Sequence, residues 1–205
     1  MNLPIYQFVH VPKTGGTAVE VLFEKNYIDR IVGTTHKWVC KIDNNPIVII
    51  REPIERFISA YHYWKNGSHG RNSRDNTFHE KYDSYTIKDF IQLQKERKKS
   101  ELVVGFMWEV HYDPQSNWIK KDVYSNTIVI KYEEDLNNKI IDLLKYLNIE
   151  NKGIRLEKSN ITRKLENEKV ILDDEDIAFI KEKYKDDFEL LDDLNNHPEL
   201  FLHVI

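Results

Sequence analysis

The chain has 205 residues, a length that suits one α/β domain with room for a sizeable core. Its 30 Lys and Arg against 34 Asp and Glu leave a formal charge of −4, which argues against a nucleic-acid coat. Cys40 is the only cysteine, so neither an intrachain disulfide nor a cysteine zinc site can form.

Ile5, Phe8, Val9 and Val11 form an apolar run that predicts a strand over 4–11. It leads into Pro12-Lys13-Thr14-Gly15-Gly16-Thr17 and then into a helical pattern over 17–27, with Val19, Leu22 and Phe23 on one face. A strand that turns through glycines into a helix makes an anion cradle. The glycines let the backbone approach an oxyanion, and the free N–H groups of the helix start point at it. Lys13 adds a mobile positive charge, and Thr14 and Thr17 add hydroxyl donors. The sequence is not a Walker A loop, which places its lysine after the glycines as G-x-x-x-x-G-K-S/T. A plain Gly-Gly turn is the alternative reading of this segment taken alone.

A short strand is predicted near Arg30–Gly33. Ile47-Val48-Ile49-Ile50 reads as a buried parallel strand over 46–50. The chain then runs through Arg51 into a helix over 53–65, with Pro53 in its first turn. Ile54, Phe57, Ile58, Tyr61 and Trp64 fall at helical spacing and form its core-facing stripe. Arg51 stands at the carboxyl end of a strand, where open α/β sheets bind ligands. Ser59 lies about two turns into the helix and off the stripe. Together they suit a second phosphate; the alternative is a surface ion pair for Arg51 and an ordinary helix serine.

The polar stretch Asn66 to Asp83 reads as a long surface loop. Thr86 with Asp89 resembles a capping box for a helix to about Lys98. The run Lys95 to Lys99 is locally basic, as a solvated helix end often is. A strand at Thr127–Tyr132 precedes a helix carrying Ile140, Ile141, Leu144 and Leu147 on one face. Asp173 or Asp174 is expected to cap one final long helix near Ile177 to Leu191. Strands alternating with helices imply a mostly parallel sheet. His10, His62, His69, His79, His197 and His203 are scattered, without the ligand spacing of a metal site.

The pair Pro12-Lys13-Thr14-Gly15-Gly16-Thr17 and Arg51-x-Pro53-x-x-Arg56-x-x-Ser59-x-Tyr61 resembles the two nucleotide-binding motifs of sulfotransferases that use 3′-phosphoadenosine 5′-phosphosulfate (PAPS). The lysine-first loop is similar to the family's 5′-phosphosulfate loop. Arg51 and Ser59 match the arginine and serine that hold the 3′-phosphate. Downstream, His111-Tyr112-Asp113-Pro114-Gln115-Ser116-x-Trp118 is similar to a segment of the carbohydrate sulfotransferases. Val129 to Leu136 looks like their strand ending in Tyr-Glu-Asp-Leu, and Ser159-Asn160-Ile161-Thr162-Arg163-Lys164 resembles the late loop that closes over the nucleotide. Tyr184, Asp187 and Phe188 match a C-terminal pattern. The likeness spans nearly the whole chain and is nearest to the Golgi glycan-modifying branch.

The resemblance implies a single sulfotransferase-like domain over 1–205, a P-loop-like three-layer α/β fold with a mostly parallel central sheet flanked by helices. It implies PAPS as donor, 3′-phosphoadenosine 5′-phosphate (PAP) as product, no required metal, and a hydroxyl acceptor on a glycan. The donor would be held by Lys13, Thr14, Gly15, Gly16, Thr17, Ala18, Arg51, Ser59 and Arg163. Lys13, the only lysine in the anion loop, is the candidate cation on the leaving phosphate. His36, in Thr35-His36, resembles the catalytic histidine of cytosolic sulfotransferases and is the candidate base. The glutamate that some glycan enzymes use falls at Leu22, with Glu20 about half a turn away. His111 is the alternative base or an acceptor contact, and Gln115 and Trp118 would shape the same wall. Lys95 to Lys99 could steer an anionic glycan. The Golgi relatives carry a membrane anchor; here the first strand starts within a few residues of Met1 and no apolar run approaches the ~20 residues that span a bilayer. A cytoplasmic protein is therefore the favoured expectation, with no membrane or nucleic-acid partner; loss of the anchor from this sequence is the alternative. A P-loop-type kinase and a non-catalytic PAP-binding module are the competing readings.

Overall fold

The structure is a computed structural model. It describes residues 4–25, 30–35, 44–65, 84–96, 111–132, 135–151, 153, 155–156 and 170–205. The chain forms two compact units. The first comprises Met1–Glu52, Pro114–Asn160 and Asp186–Ile205; the second comprises Pro53–Asp113 and Ile161–Lys185.

The first unit is built on a sheet of β1 (Tyr6–Val9), β2 (Ile31–Thr35), β3 (Asn45–Ile50), β4 (Ile128–Lys131) and β5 (His203–Val204). Their order is β2-β1-β3-β4-β5, and every neighbouring pair is parallel. The expected α/β architecture with a mostly parallel sheet is what the chain forms. Its β-branched runs suit strands with both faces buried: Ile47, Val48 and Ile49 are all without exposure. Alternation puts Tyr6, Phe8, Ile47, Ile49, Ile128 and Ile130 on one face. There they share a core with Val19, Leu22 and Phe23 of α1 (Gly16–Lys25) and with Leu136, Ile140, Leu143 and Leu144 of the Leu136–Tyr146 helix.

β1 steps to β2 on one side, and the chain then returns to lay β3 on β1's other side. The sheet thus reverses direction between β1 and β3, and ligands of open α/β sheets gather at the carboxyl ends of such a strand pair. β1 is shorter than the 4–11 expected. The Val11 N–H turns back to the Val9 carbonyl at 3.1 Å, which takes the chain off the sheet and into the loop.

The second unit holds α2 (Pro53–Lys65), α3 (Ile87–Glu96) and, following α4 (Leu136–Tyr146) in chain order, α5 (Asp174–Lys183). Its core is aromatic. Phe57 meets Tyr112 edge-on at 5.3 Å, and Tyr61 meets Phe90 at 5.1 Å. Burial pushes the Tyr112 hydroxyl well above the ordinary phenol range. The Thr86–Asp89 cap forms as expected: the Asp89 carboxylate accepts from the Thr86 N–H and hydroxyl, both at 2.7 Å. Those bonds, the hydroxyl first, hold Asp89 below the usual carboxylate range, and such a cap contributes ~1 kcal/mol. Asp173 caps α5 through a reciprocal pair with Asp176.

The single long final helix is a correction. The chain breaks at Tyr184 and continues as α6 (Lys185–Asn196). No Gly or Pro marks the break in the sequence. Tyr184 is buried, its hydroxyl donates to the Tyr112 carbonyl at 2.9 Å, and its ring packs on Phe57; packing of that one side chain accompanies the interruption. β5 was not expected at all. No helix among the described residues is long and apolar enough to cross a membrane.

Candidate active site

Three consecutive parallel strands, β1, β3 and β4, end at one edge of the sheet and deliver the anion loop, Arg51 and Tyr132 there. The loop is a tight turn from Pro12 to Gly15 that runs straight into α1. Lys13 holds a left-handed φ of 69° and Gly15 one of 81°. A non-glycine residue in that region is a costly exception, and such residues cluster at ligand sites.

The two glycines serve different needs. Gly15 takes its positive φ, and a Cβ there would also lie 3.0 Å from both Leu136 Cδ2 and Tyr132 Cε2. Gly16 has ordinary helical geometry but no room. A Cβ on it would lie 2.7 Å from His10 Nε2 and closer still to Cδ2. The His10 ring is buried, and its Nδ1 lies 2.9 Å from Glu20 Oε1, so the imidazole cannot simply swing aside.

Among the described residues, the backbone N–H groups of Thr14, Gly15, Gly16 and Thr17 donate to no other group. The first turn of α1 carries no acidic residue. Orphan N–H groups, a helix dipole and a neighbouring lysine together favour an anion. Thr14 is fully buried and its hydroxyl donates to the Val11 carbonyl at 2.8 Å, so its contribution to an anion is its N–H rather than the hydroxyl. The Ala18 N–H is spent on the Gly15 carbonyl at 3.2 Å. Thr17 is half-buried at the start of the helix.

Arg51 joins the loop directly. Its Nη1 donates to the Lys13 carbonyl at 3.4 Å, and its guanidinium carbon lies 4.6 Å from the centre of the Tyr132 ring. Its peptide is bracketed by one side chain. The Arg51 N–H donates to Gln115 Oε1 at 3.1 Å, and Gln115 Nε2 donates to the Arg51 carbonyl at 2.5 Å. Asp187 in turn fixes Gln115, accepting from the N–H groups of Gln115 and Ser116, each at 2.9 Å. Asp187 and Gln115 are both without exposure. A chain of buried, satisfied hydrogen bonds is rigid, so the Arg51 backbone is set before any ligand arrives.

A lysine-first anion loop thus lies beside an arginine at the sheet's reversal point, and the sulfotransferase family profile matches residues 7–192. The chain belongs to the sulfotransferase family. It is a transferase in a family whose reactions take a sulfuryl group from a small-molecule donor to a hydroxyl acceptor. Neither the curated proteins nor the solved structures compared with it include a significant match.

The remaining expected site residues of this sulfotransferase fall in different surroundings. Ser59 is half-buried on α2, in the second unit. Arg56, which stands between Arg51 and Ser59 in the motif, is buried and donates to the Asp113 carbonyl at 2.8 Å. His111, Gln115 and Trp118, expected to shape an acceptor wall, are all buried. His111 is buried and stacked flat on Tyr63 at 4.9 Å. Gln115 is spent on the Arg51 peptide. Trp118 is fully enclosed, and its indole N–H finds no partner among the described residues. His36, Arg163, the 66–83 loop and the basic residues Arg97, Lys98 and Lys99 lie outside the described residues. Among those described, no group of three or more His, Cys, Asp or Glu is placed to hold a metal ion.

Sequence reading missed the His10–Glu20 pair behind Gly16 and the Asp187–Gln115 bracket on Arg51. The first carried a weak signal, a histidine just before the loop and a glutamate one turn into its helix. In the second, Gln115 and Asp187 each fell in a segment resembling the family's, but nothing marked them as partners, since the members stand 64 and 71 to 72 positions apart in the chain.

Proposed function

We propose that this sulfotransferase moves a sulfuryl group from PAPS to a hydroxyl on a glycan or glycan-like acceptor. The observation that carries the reading is the joined cationic site, in which Arg51 donates to the carbonyl of Lys13. Two anion grips in contact suit a small donor charged at both its 3′ and 5′ ends. The fit is supported by the unspent N–H groups at Thr14 to Thr17 and by the acid-free start of α1. PAPS supplies the sulfuryl group and leaves as PAP.

Each role then falls to a residue of the chain. The loop N–H groups of residues 14–17 hold the 5′-phosphosulfate end. Arg51, with Ser59 and Arg163, holds the 3′-phosphate. The Lys13 ammonium neutralises charge that grows on the leaving phosphate oxygen as the S–O bond breaks. His36 takes the acceptor's hydroxyl proton as the new S–O bond forms. Holding donor and acceptor in line supplies much of the rate, since the transferred group is loosely bound midway. The likeness of the His111 to Trp118 segment to carbohydrate sulfotransferases supports a glycan acceptor.

Transfer of labelled sulfate from PAPS to a panel of sugars, phenols and peptides tests the reading. Sugar labelling is expected; tight binding of ATP with Mg²⁺ in place of PAP would point to a kinase, and PAP binding without transfer on any acceptor would point to a binding module. His36→Ala is expected to lower turnover by roughly 10²–10⁴-fold with PAP affinity, read by calorimetry, unchanged. Unimpaired turnover in that variant would pass the base role to His111.

A further inference from the structure

Tyr132 touches both anion grips. It follows β4 directly, and its N–H donates to the Ile50 carbonyl at 2.7 Å, which pins it beside the residue preceding Arg51. On one side its ring edge backs the loop: a Cβ on Gly15 would meet Cε2 at 3.0 Å and Cδ2 at 3.5 Å. On the other side the Arg51 guanidinium lies over its face at 4.6 Å. One ring therefore lies against both the turn at Gly15 and the cation at Arg51.

We propose that Tyr132 is a positioning residue that fixes the spacing of the two grips and so sets the preference for a nucleotide charged at both its 3′ and 5′ positions. The proposal rests on the donor assignment above. An arginine side chain has several rotatable bonds and, left alone, spreads over many rotamers. The electron-rich face of Tyr132 selects those that lie flat on it, and the peptide bracket from Gln115 fixes where the side chain starts. The loop end of the site does not depend on this contact, because its N–H groups are set by the Gly15 turn and by α1. Loss of the aromatic face therefore weakens the hold on the 3′-phosphate and spares the hold on the 5′-phosphate. No contact of the Tyr132 hydroxyl enters the argument, so phenylalanine is an adequate replacement.

Calorimetry with PAP and with AMP, which lacks the 3′-phosphate, tests this on the full chain. The wild type is expected to prefer PAP. Tyr132→Leu should cut the PAP-over-AMP preference by about five- to tenfold while AMP affinity changes by less than about twofold, and Tyr132→Phe should keep the wild-type preference. A folded Tyr132→Leu protein with the wild-type preference, or with equal losses for both ligands, overturns the proposal. Progressive fluorination of phenylalanine at position 132 keeps the ring's shape and drains its electron density, so it bypasses any folding defect of the leucine variant. The preference should fall step by step along that series, and a flat series overturns the proposal. A wild type that binds PAP and AMP equally would instead overturn the donor assignment itself.

Discussion

Lys13→Ala is expected to lower kcat for sulfuryl transfer by about 10²–10³-fold, the loss typical when one preorganised donor to a developing oxyanion is removed. PAP affinity should fall far less, because the ammonium matters most as charge builds on the leaving oxygen. Alanine isolates the ammonium cleanly. It keeps a Cβ at a position whose φ is 69°, so the backbone is no less constrained than before, and the carbonyl that accepts from Arg51 remains. Labelled-sulfate turnover read beside PAP calorimetry checks it. Turnover at the wild-type rate would remove Lys13 from the chemistry.

Arg51→Ala should weaken PAP by about 10- to 100-fold, the equivalent of losing charged hydrogen bonds worth roughly 1.5–3 kcal/mol. Adenosine 5′-phosphosulfate, which lacks the 3′-phosphate, should lose less than about threefold by the same reasoning. The variant is expected to fold, since Gln115 grips the main-chain N–H and carbonyl of residue 51 and not its side chain. Equal losses for both ligands would show that Arg51 supports the loop and does not meet the 3′-phosphate.

Local signals survive translation into structure where the chain's near neighbours decide the outcome. The apolar run at Ile47 to Ile50 became a buried parallel strand. The Thr86–Asp89 pair became a cap because its two members are three residues apart and one carboxylate reaches back to one N–H and one hydroxyl. The loop at 12–17 was legible for the same reason: its turn, its lysine and its helix start are contiguous. What stayed hidden depends on distant partners. Tyr184 sits at a helix break with no breaker residue nearby, and its hydroxyl and ring are held by Tyr112 and Phe57. β5 has two residues, too few for any periodicity, and exists because Ile128 and Val129 offer it a parallel edge. Gln115 reads as a substrate contact because its segment resembles one, and nothing in that segment announces its bonds to the Arg51 peptide. A glutamine's type and position do not reveal whether its amide meets a ligand or a peptide, and only the fold decides which is nearer.

The left-handed backbone at Lys13 has an evolutionary consequence. That conformation costs an L side chain roughly 1–2 kcal/mol that glycine does not incur, partly offset by glycine's greater freedom in the unfolded chain. Lys13→Gly should therefore melt a little higher than Lys13→Ala, by up to about 2–4 °C for a chain of this size. Selection for heat tolerance alone would drift toward a relaxed turn without the lysine. If Lys13→Ala loses turnover as expected, lysine at this position sets activity against thermal robustness.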